Sequence, residues 1–160
     1  MSHLPLVVAA SLLLGWGPVS PQVPGARQWH EQRYRGRTDY RPVGEGDQAT
    51  LRAEALGRNS ALLTPLSIDP RGVVLRWRWR VLQHPAGADP GVRSRDDRAA
   101  GVLVIVRRSR IPGRTRALLY QWTPSRPVGE WSHSPYSSGV PSVVLRDAPA
   151  DSMWRQEPRD

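Results

Sequence analysis

The sequence contains no cysteine, no lysine and no phenylalanine, a single asparagine and three isoleucines. Without cysteine there is no disulfide, no thiolate-ligated zinc and no cysteine nucleophile, so an exported chain of this kind must be held by its core alone. Lys, Phe, Asn and Ile are the residues of A/T-rich codons. Their shared scarcity points to a G/C-rich coding sequence in which arginine stands in for lysine. All 23 basic residues are arginine, against 14 acidic ones, giving a formal net charge of +9. Part of that arginine content is mutational background, but the charge still draws the protein toward anionic surfaces in a salt-dependent way. Long apolar helical periodicities are missing too, and 14 glycines and 16 prolines are spread along the chain. Such a pattern supports short strands joined by turns, hence an all-β domain.

What is present centres on Leu75-Arg76-Trp77-Arg78-Trp79-Arg80-Val81. Strict alternation over this stretch predicts a β-strand, with Val73, Leu75, Trp77, Trp79 and Val81 on one face and Arg76, Arg78 and Arg80 on the other. Burying two indoles at about 25 cal/mol per Å² contributes on the order of 4–6 kcal/mol each as an upper bound, so the tryptophan face is core. The arginines cannot follow, because a buried unpaired charge costs several kcal/mol. They face water, acidic partners or a ligand.

In chain order, Leu4 to Leu14 is an apolar run too short for a membrane span and of the length of a signal-peptide core. Residues 1–26 are therefore expected to be a signal peptide, with an uncleaved anchor or a buried N-terminal segment as alternatives, and the protein to be periplasmic or extracellular. Residues 27–160 then form one domain, an antiparallel β-sandwich, jelly-roll-like, of about seven or eight strands. Arg27 to Arg41 reads as a first strand and its loop, and its Trp29, Tyr34 and Tyr40 among arginines also allow a stacking patch. Gly44 to Asp47 is a turn and no nucleotide signature. Thr50 to Leu56 alternates as a strand, although Asp47 could cap a helix there. An apolar run follows from Ser60 to Ser67, and Asp69 to Gly72 is a turn into the central strand. Two long loops are expected, Gln83 to Arg98 and Pro124 to Gly139, the second carrying Trp131, His133 and Tyr136. Between them the continuous apolar run Ala99 to Val106, a turn at Ile111 to Arg114 and the segment Ala117 to Thr123 predict neighbouring strands. Val140 to Arg146 and Met153 to Gln156 complete the set.

Few constellations carry chemistry. Asp96 and Asp97 are the strongest carboxylate pair for acid/base work, but adjacent strand residues point to opposite faces, so both serve one site only from a loop. The plainer expectation pairs them with Arg93, Arg95, Arg98 or the Arg76/Arg78/Arg80 face, where same-side arginines about 6.7 Å apart repel. A glycosidase needs two carboxylates about 5–10 Å apart, and spacing selects no such pair here. There is no Gly-x-Ser-x-Gly, the histidines read as exposed loop residues, and no two stand at a metal-ligating interval.

The order Trp77-Arg78-Trp79-Arg80-Val81, Asp96-Asp97 before an apolar strand, Tyr120-Gln121-Trp122, then Trp154 with Arg155 and Arg159, resembles the bacterial family known as domain of unknown function 3047. The resemblance covers roughly residues 29–160. It implies an exported β-sandwich without an established activity. This chain has Gly101 where the family tends to carry an arginine, and the family runs on past the Trp/Arg segment, which implies a chain that stops short of its final strands.

These readings converge on a non-catalytic module that binds an anionic or polysaccharide component of the cell envelope. Its candidate ligand-binding residues are Arg76, Arg78, Arg80, Asp96, Asp97, Trp131 and Tyr136, with arginine forks for carboxylate or phosphate and rings for sugar faces. No cofactor, no metal and no transmembrane span are expected, and nucleic-acid binding fits the charge but conflicts with export. The alternative is a carbohydrate-active hydrolase using Asp96 or Asp97 as acid/base.

Overall fold

The alternating arginine/tryptophan segment is a strand. β5 (Leu75–Trp79) buries Trp77 and Trp79 and keeps Arg76 exposed, as a period of two requires of apolar/charged alternation. The computed structural model describes residues 29–44, 50–65, 74–107, 110–111 and 114–159. The expected leader over residues 1–26, the turn at 69–72, Val73, and residues 45–47 and 112–113 of the two other expected turns lie outside the described residues.

The chain is all-β. Its strands are β1 (His30–Arg35), β2 (Asp39–Val43), β3 (Thr50–Glu54), β4 (Asn59–Leu63), β5, β6 (Ala100–Arg107), β7 (Arg116–Trp122), β8 (Trp131–Ser134), β9 (Ser137–Arg146) and β10 (Arg155–Arg159). A four-stranded sheet has the order β6-β7-β9-β8, and β1 pairs with β4, β2 with β3 and β5 with β10. Every pairing among the described residues is antiparallel except β7 with β9, which run parallel and depart there from an all-antiparallel arrangement. The parallel pair arises because the chain leaves β7, forms β8 at the sheet's edge, and returns through β9 between them.

Alternation along β7 explains the layering. Leu118, Tyr120 and Trp122 join the cluster built by Trp77, Trp79, Val81, Ala100, Val143 and Leu145, whereas Ala117 and Leu119 join Ala61 and Val140 on the other side. One face of the four-stranded sheet thus packs on the Trp77 and Trp79 side chains of β5, and the other on Ala61 of β4. The first cluster is a chain of tilted and edge-to-face rings. Trp77 meets Trp79 at 5.6 Å and 86°, Trp79 meets Trp122 at 5.7 Å and 61°, and Trp77 meets Tyr120 at 5.4 Å and 40°. Such contacts add about 0.5–1.5 kcal/mol each to the area burial.

The ambiguous stretch from Thr50 forms strand β3, its Leu51 and Ala53 half-buried and Arg52 and Glu54 exposed. Gly57, at φ +62°, supplies the left-handed turn that sends the chain into β4. The last strand begins at Arg155, two residues later than the sequence suggested. The larger difference concerns Pro124 to Gly139, expected to be a loop, where Trp131–Ser134 and the start of β9 form a hairpin around Pro135 and Tyr136. Serine-rich composition hid it, yet Ser132 and Ser142 sit directly opposite and their hydroxyls hydrogen-bond at 2.8 Å. Residues 80–99 remain without a strand, holding only the short 3₁₀ turn Arg93–Arg95.

Candidate functional site

On β5 and directly after it, Arg76, Arg78 and Arg80 stand on the side away from the indole cluster, and the register with β10 decides what meets the first two. Pro158 lies opposite Arg76 and Gln156 opposite Arg78, whereas the strand's carboxylate, Glu157, falls opposite Trp77 on the inner side. There Glu157, 2% exposed, accepts hydrogen bonds from Trp79 Nε1 at 3.1 Å and Arg146 Nε at 2.6 Å and pairs with Arg159 at 3.2 Å. The outer side receives an aromatic ring in place of a carboxylate. The guanidinium carbons of Arg78 and Arg80 lie 5.0 and 4.8 Å from the centroid of Trp154. Arg80 also donates to the Ser152 carbonyl at 3.4 Å, and Arg78 Nε is buried there without a hydrogen-bond partner. Cation–π contact holds the cations in place without cancelling their charge.

Asp96 and Asp97 do not compensate this row. Asp96 follows the 3₁₀ turn and pairs with Arg98, the two side chains 0% and 3% exposed respectively. Burial pushes the Asp96 carboxyl up to about 6, with Arg98 pulling the other way, and its Oδ2 is buried without a partner. A carboxyl near that value has the strength a general acid needs, but one sealed from solvent cannot reach a polymer. Asp97 is exposed, and its Oδ1 accepts the backbone N–H of Arg98 at 2.8 Å.

The two long connections meet here. Tyr136 donates its hydroxyl to the Arg93 carbonyl at 2.8 Å, and the Arg93 guanidinium lies 5.1 Å from the tyrosine ring centroid. Arg126 bonds Asp89 through NH2 at 3.0 Å and through Nε at 3.2 Å, and reaches Glu130 as well. Tyr136 thus fastens one connection to the other. Trp131 is different again: it sits on β8 opposite Val143 and is 62% exposed. Of the seven residues singled out from the sequence, the structure therefore joins Arg78 with Arg80, through Trp154, and brings Tyr136 to the loop carrying Asp96 and Asp97. The described contacts of the arginine row run to Trp154 and Ser152 and to neither of the other groups.

Beside the buried pair lies a cavity of about 160 Å³, lined by His84, Pro85, Gly87, Arg98, Thr123 and Ser125 among others. His84, expected to be an exposed loop residue, is half-buried: its Nε2 lies 3.3 Å from the Ala148 carbonyl and its ring 6.5 Å from that of Trp122. A carbonyl only accepts, so Nε2 carries the proton, and burial holds the imidazole pKa below its ordinary value. Sequence reasoning missed Trp154, His84, Arg98 and the Thr123/Ser125 pair as site residues. Trp154 carried a signal, being an aromatic directly ahead of an arginine in the last strand, but its position over the row depends on the β5–β10 register.

Among the described residues, no group of three or more His, Asp or Glu side chains is placed to hold a metal, and no helix is long and apolar enough to cross a membrane. No curated protein and no solved structure matches the chain. A family model, "Protein of unknown function (DUF3047)", matches residues 27–160, a span that holds the ten strands found among the described residues, the Trp77/Trp79 core and Trp154. By that match the chain belongs to the DUF3047 family of proteins of unknown function.

Proposed function

We propose that the protein is a non-catalytic binding module for anionic polymers, acidic polysaccharides of the cell envelope above all, and that the outer face of β5 and β10 is its contact surface. One observation carries this reading: none of the described ion pairs includes Arg76, Arg78 or Arg80. Glu31, Asp89, Asp96, Glu130, Asp151 and Glu157 are each paired with some other arginine. The row keeps its charge while Trp154 fixes two of its three guanidinium groups. A preordered guanidinium fork suits the bidentate geometry of carboxylate or sulfate. Same-face neighbours repeat at about 6.7 Å, a spacing suited to a repeating polyanion. The apolar run Leu4 to Leu14 supports export to the periplasm or beyond, where such polymers are met. The hydrolase alternative draws no support from Asp96, which is sealed and paired.

Retention on immobilised heparin and on polygalacturonate tests the proposal. The protein is expected to bind both and to elute with rising salt. Arg76→Ser/Arg80→Ser should lose most of the retention, and Arg110→Ser/Arg114→Ser, which removes equal charge elsewhere, should keep it. Absence of salt-sensitive retention, or equal loss in the two double variants, would overturn it.

A further inference from the structure

β6 is an edge strand with the sequence of an interior one. From Ala100 to Val106 every residue is apolar or glycine, toward both faces alike, as in a strand flanked on either side. In the four-stranded sheet, however, β6 ends the order and, among the described residues, pairs with β7 alone. Val102 packs on the tryptophan cluster, and Leu103 and Ile105 on the Ala61 cluster. All three stay half-buried, as does Val104, and Val106 is 73% exposed. Edge strands are normally blunted by charge, proline or shortness. The opposite edge obeys: β8 is four residues long, two of them serine and one histidine. β6 runs for eight residues with no charge and no proline before Arg107, and its register with β7 shifts only past Ile105.

We propose that β6 pairs antiparallel with β6 of a second copy about a two-fold axis at Leu103, joining two four-stranded sheets into one. Symmetry constrains the register. Backbone N–H and C=O groups turn outward at every second residue, so a two-fold pair must set residues of equal parity opposite one another. About Leu103 this puts Val102 against Val104 and Gly101 against Ile105, all within the stretch before the register shift. Apolar side chains then meet apolar side chains, and the residues facing each cluster keep to their own face. The strand ends match as well. Antiparallel pairing brings the acidic start of one strand, where Asp97 is exposed, toward the basic end of the other, with Arg107 and Arg110. A single strand pair is a small contact and two chains of charge +9 repel, so the dimer is weak and concentration-dependent.

Sedimentation velocity of the full chain tests this. A monomer–dimer equilibrium is expected, with a dissociation constant of about 10–100 µM. Added salt should tighten it by screening the repulsion between copies, the reverse of its effect on polyanion retention, so this proposal and the previous one fail separately. Val106→Arg, at an exposed position, should weaken the dimer at least tenfold, whereas Trp131→Ser on the opposite edge should leave it unchanged. The native chain has no cysteine, so a single introduced thiol reports the register. Directly opposed Cα atoms lie about 4.5–5.5 Å apart, within disulfide reach, so Leu103→Cys should form an oxidised dimer and Ile105→Cys should not. A chain that stays monomeric at every concentration would leave the edge to a foreign strand and overturn the proposal. So would a Val106→Arg variant that dimerises as the native chain does, a Trp131→Ser variant that weakens the dimer as much as Val106→Arg, or Ile105→Cys cross-linking as readily as Leu103→Cys.

Discussion

Glu157 shows how much one side chain can organise. It is a buried carboxylate that takes the Trp79 indole N–H and two guanidinium groups, and so ties the core to β9 and β10. Glu157→Ala leaves Arg146 and Arg159 without their counter-charge and the indole donor without an acceptor. The two guanidinium groups are about a third exposed and regain water, whereas the buried indole donor does not, so the loss is about 1–3 kcal/mol and the urea midpoint should fall with an unchanged slope. Asp96 acts through pH. Its carboxyl is pushed up from an ordinary 3.8 to about 6, so between those values the folded chain holds a proton that the unfolded chain has released. Its contribution is therefore full below pH 3.8 and falls as pH rises to about 6, by about 3 kcal/mol at 1.36 kcal/mol per pH unit. Asp89 has the opposite sign: the Gly91 N–H and Arg126 hold its pKa down, so its contribution is present above pH 3.8 and lost below. Asp96→Asn should flatten the stability profile between pH 4 and 6 while leaving the acid limb in place, as urea unfolding at each pH would show. The pairing of Asp96 with a nearby arginine was legible from Asp-Asp-Arg in the sequence. Its complete burial was not, because burial depends on the covering connections.

At the scale of elements, alternation was the dependable signal. It placed β5, and it decided for a strand at Thr50, because each needed one face buried and one wet. Composition misled where alternation was short: Trp131-Ser132-His133-Ser134 is a strand of only four residues set among Pro, Ser and Gly. The parallel β7–β9 pairing was out of reach, since it depends on which edge the intervening strand takes. So was the locking of two supposedly open loops through Arg126 and Tyr136. That lock is sensitive to one glycine. A Cβ at Gly91 would lie 1.9 Å from an Arg126 guanidinium nitrogen, and the guanidinium is held by Asp89 on one side and Glu130 on the other. Gly91→Ala must displace it. Limited proteolysis should then cut faster between residues 83 and 98, while the global unfolding midpoint moves little, because the tryptophan cluster is untouched.

The whole molecule carries a formal charge of +9, yet among the described residues the acids are largely consumed by arginines already beside them. The far field is therefore broad, and on the β5–β10 face none of the described ion pairs cancels Arg76, Arg78 or Arg80. If charge alone held a polyanion, any arginine would do, and every loss would reduce the salt dependence alike. Preordering by Trp154 makes a different demand. Trp154→Ala keeps all three cations but releases Arg78 and Arg80 from the ring, forfeiting about 0.5–1 kcal/mol for each partly exposed contact. Affinity for heparin at fixed salt should then fall about five- to thirtyfold, with the slope of log affinity against log salt unchanged, since the number of cations is the same. Arg80→Ser should lower both affinity and slope. A Trp154→Ala variant that matched Arg80→Ser in slope, or bound as tightly as the native chain, would show that the indole is mere cover and that the row acts as unorganised charge.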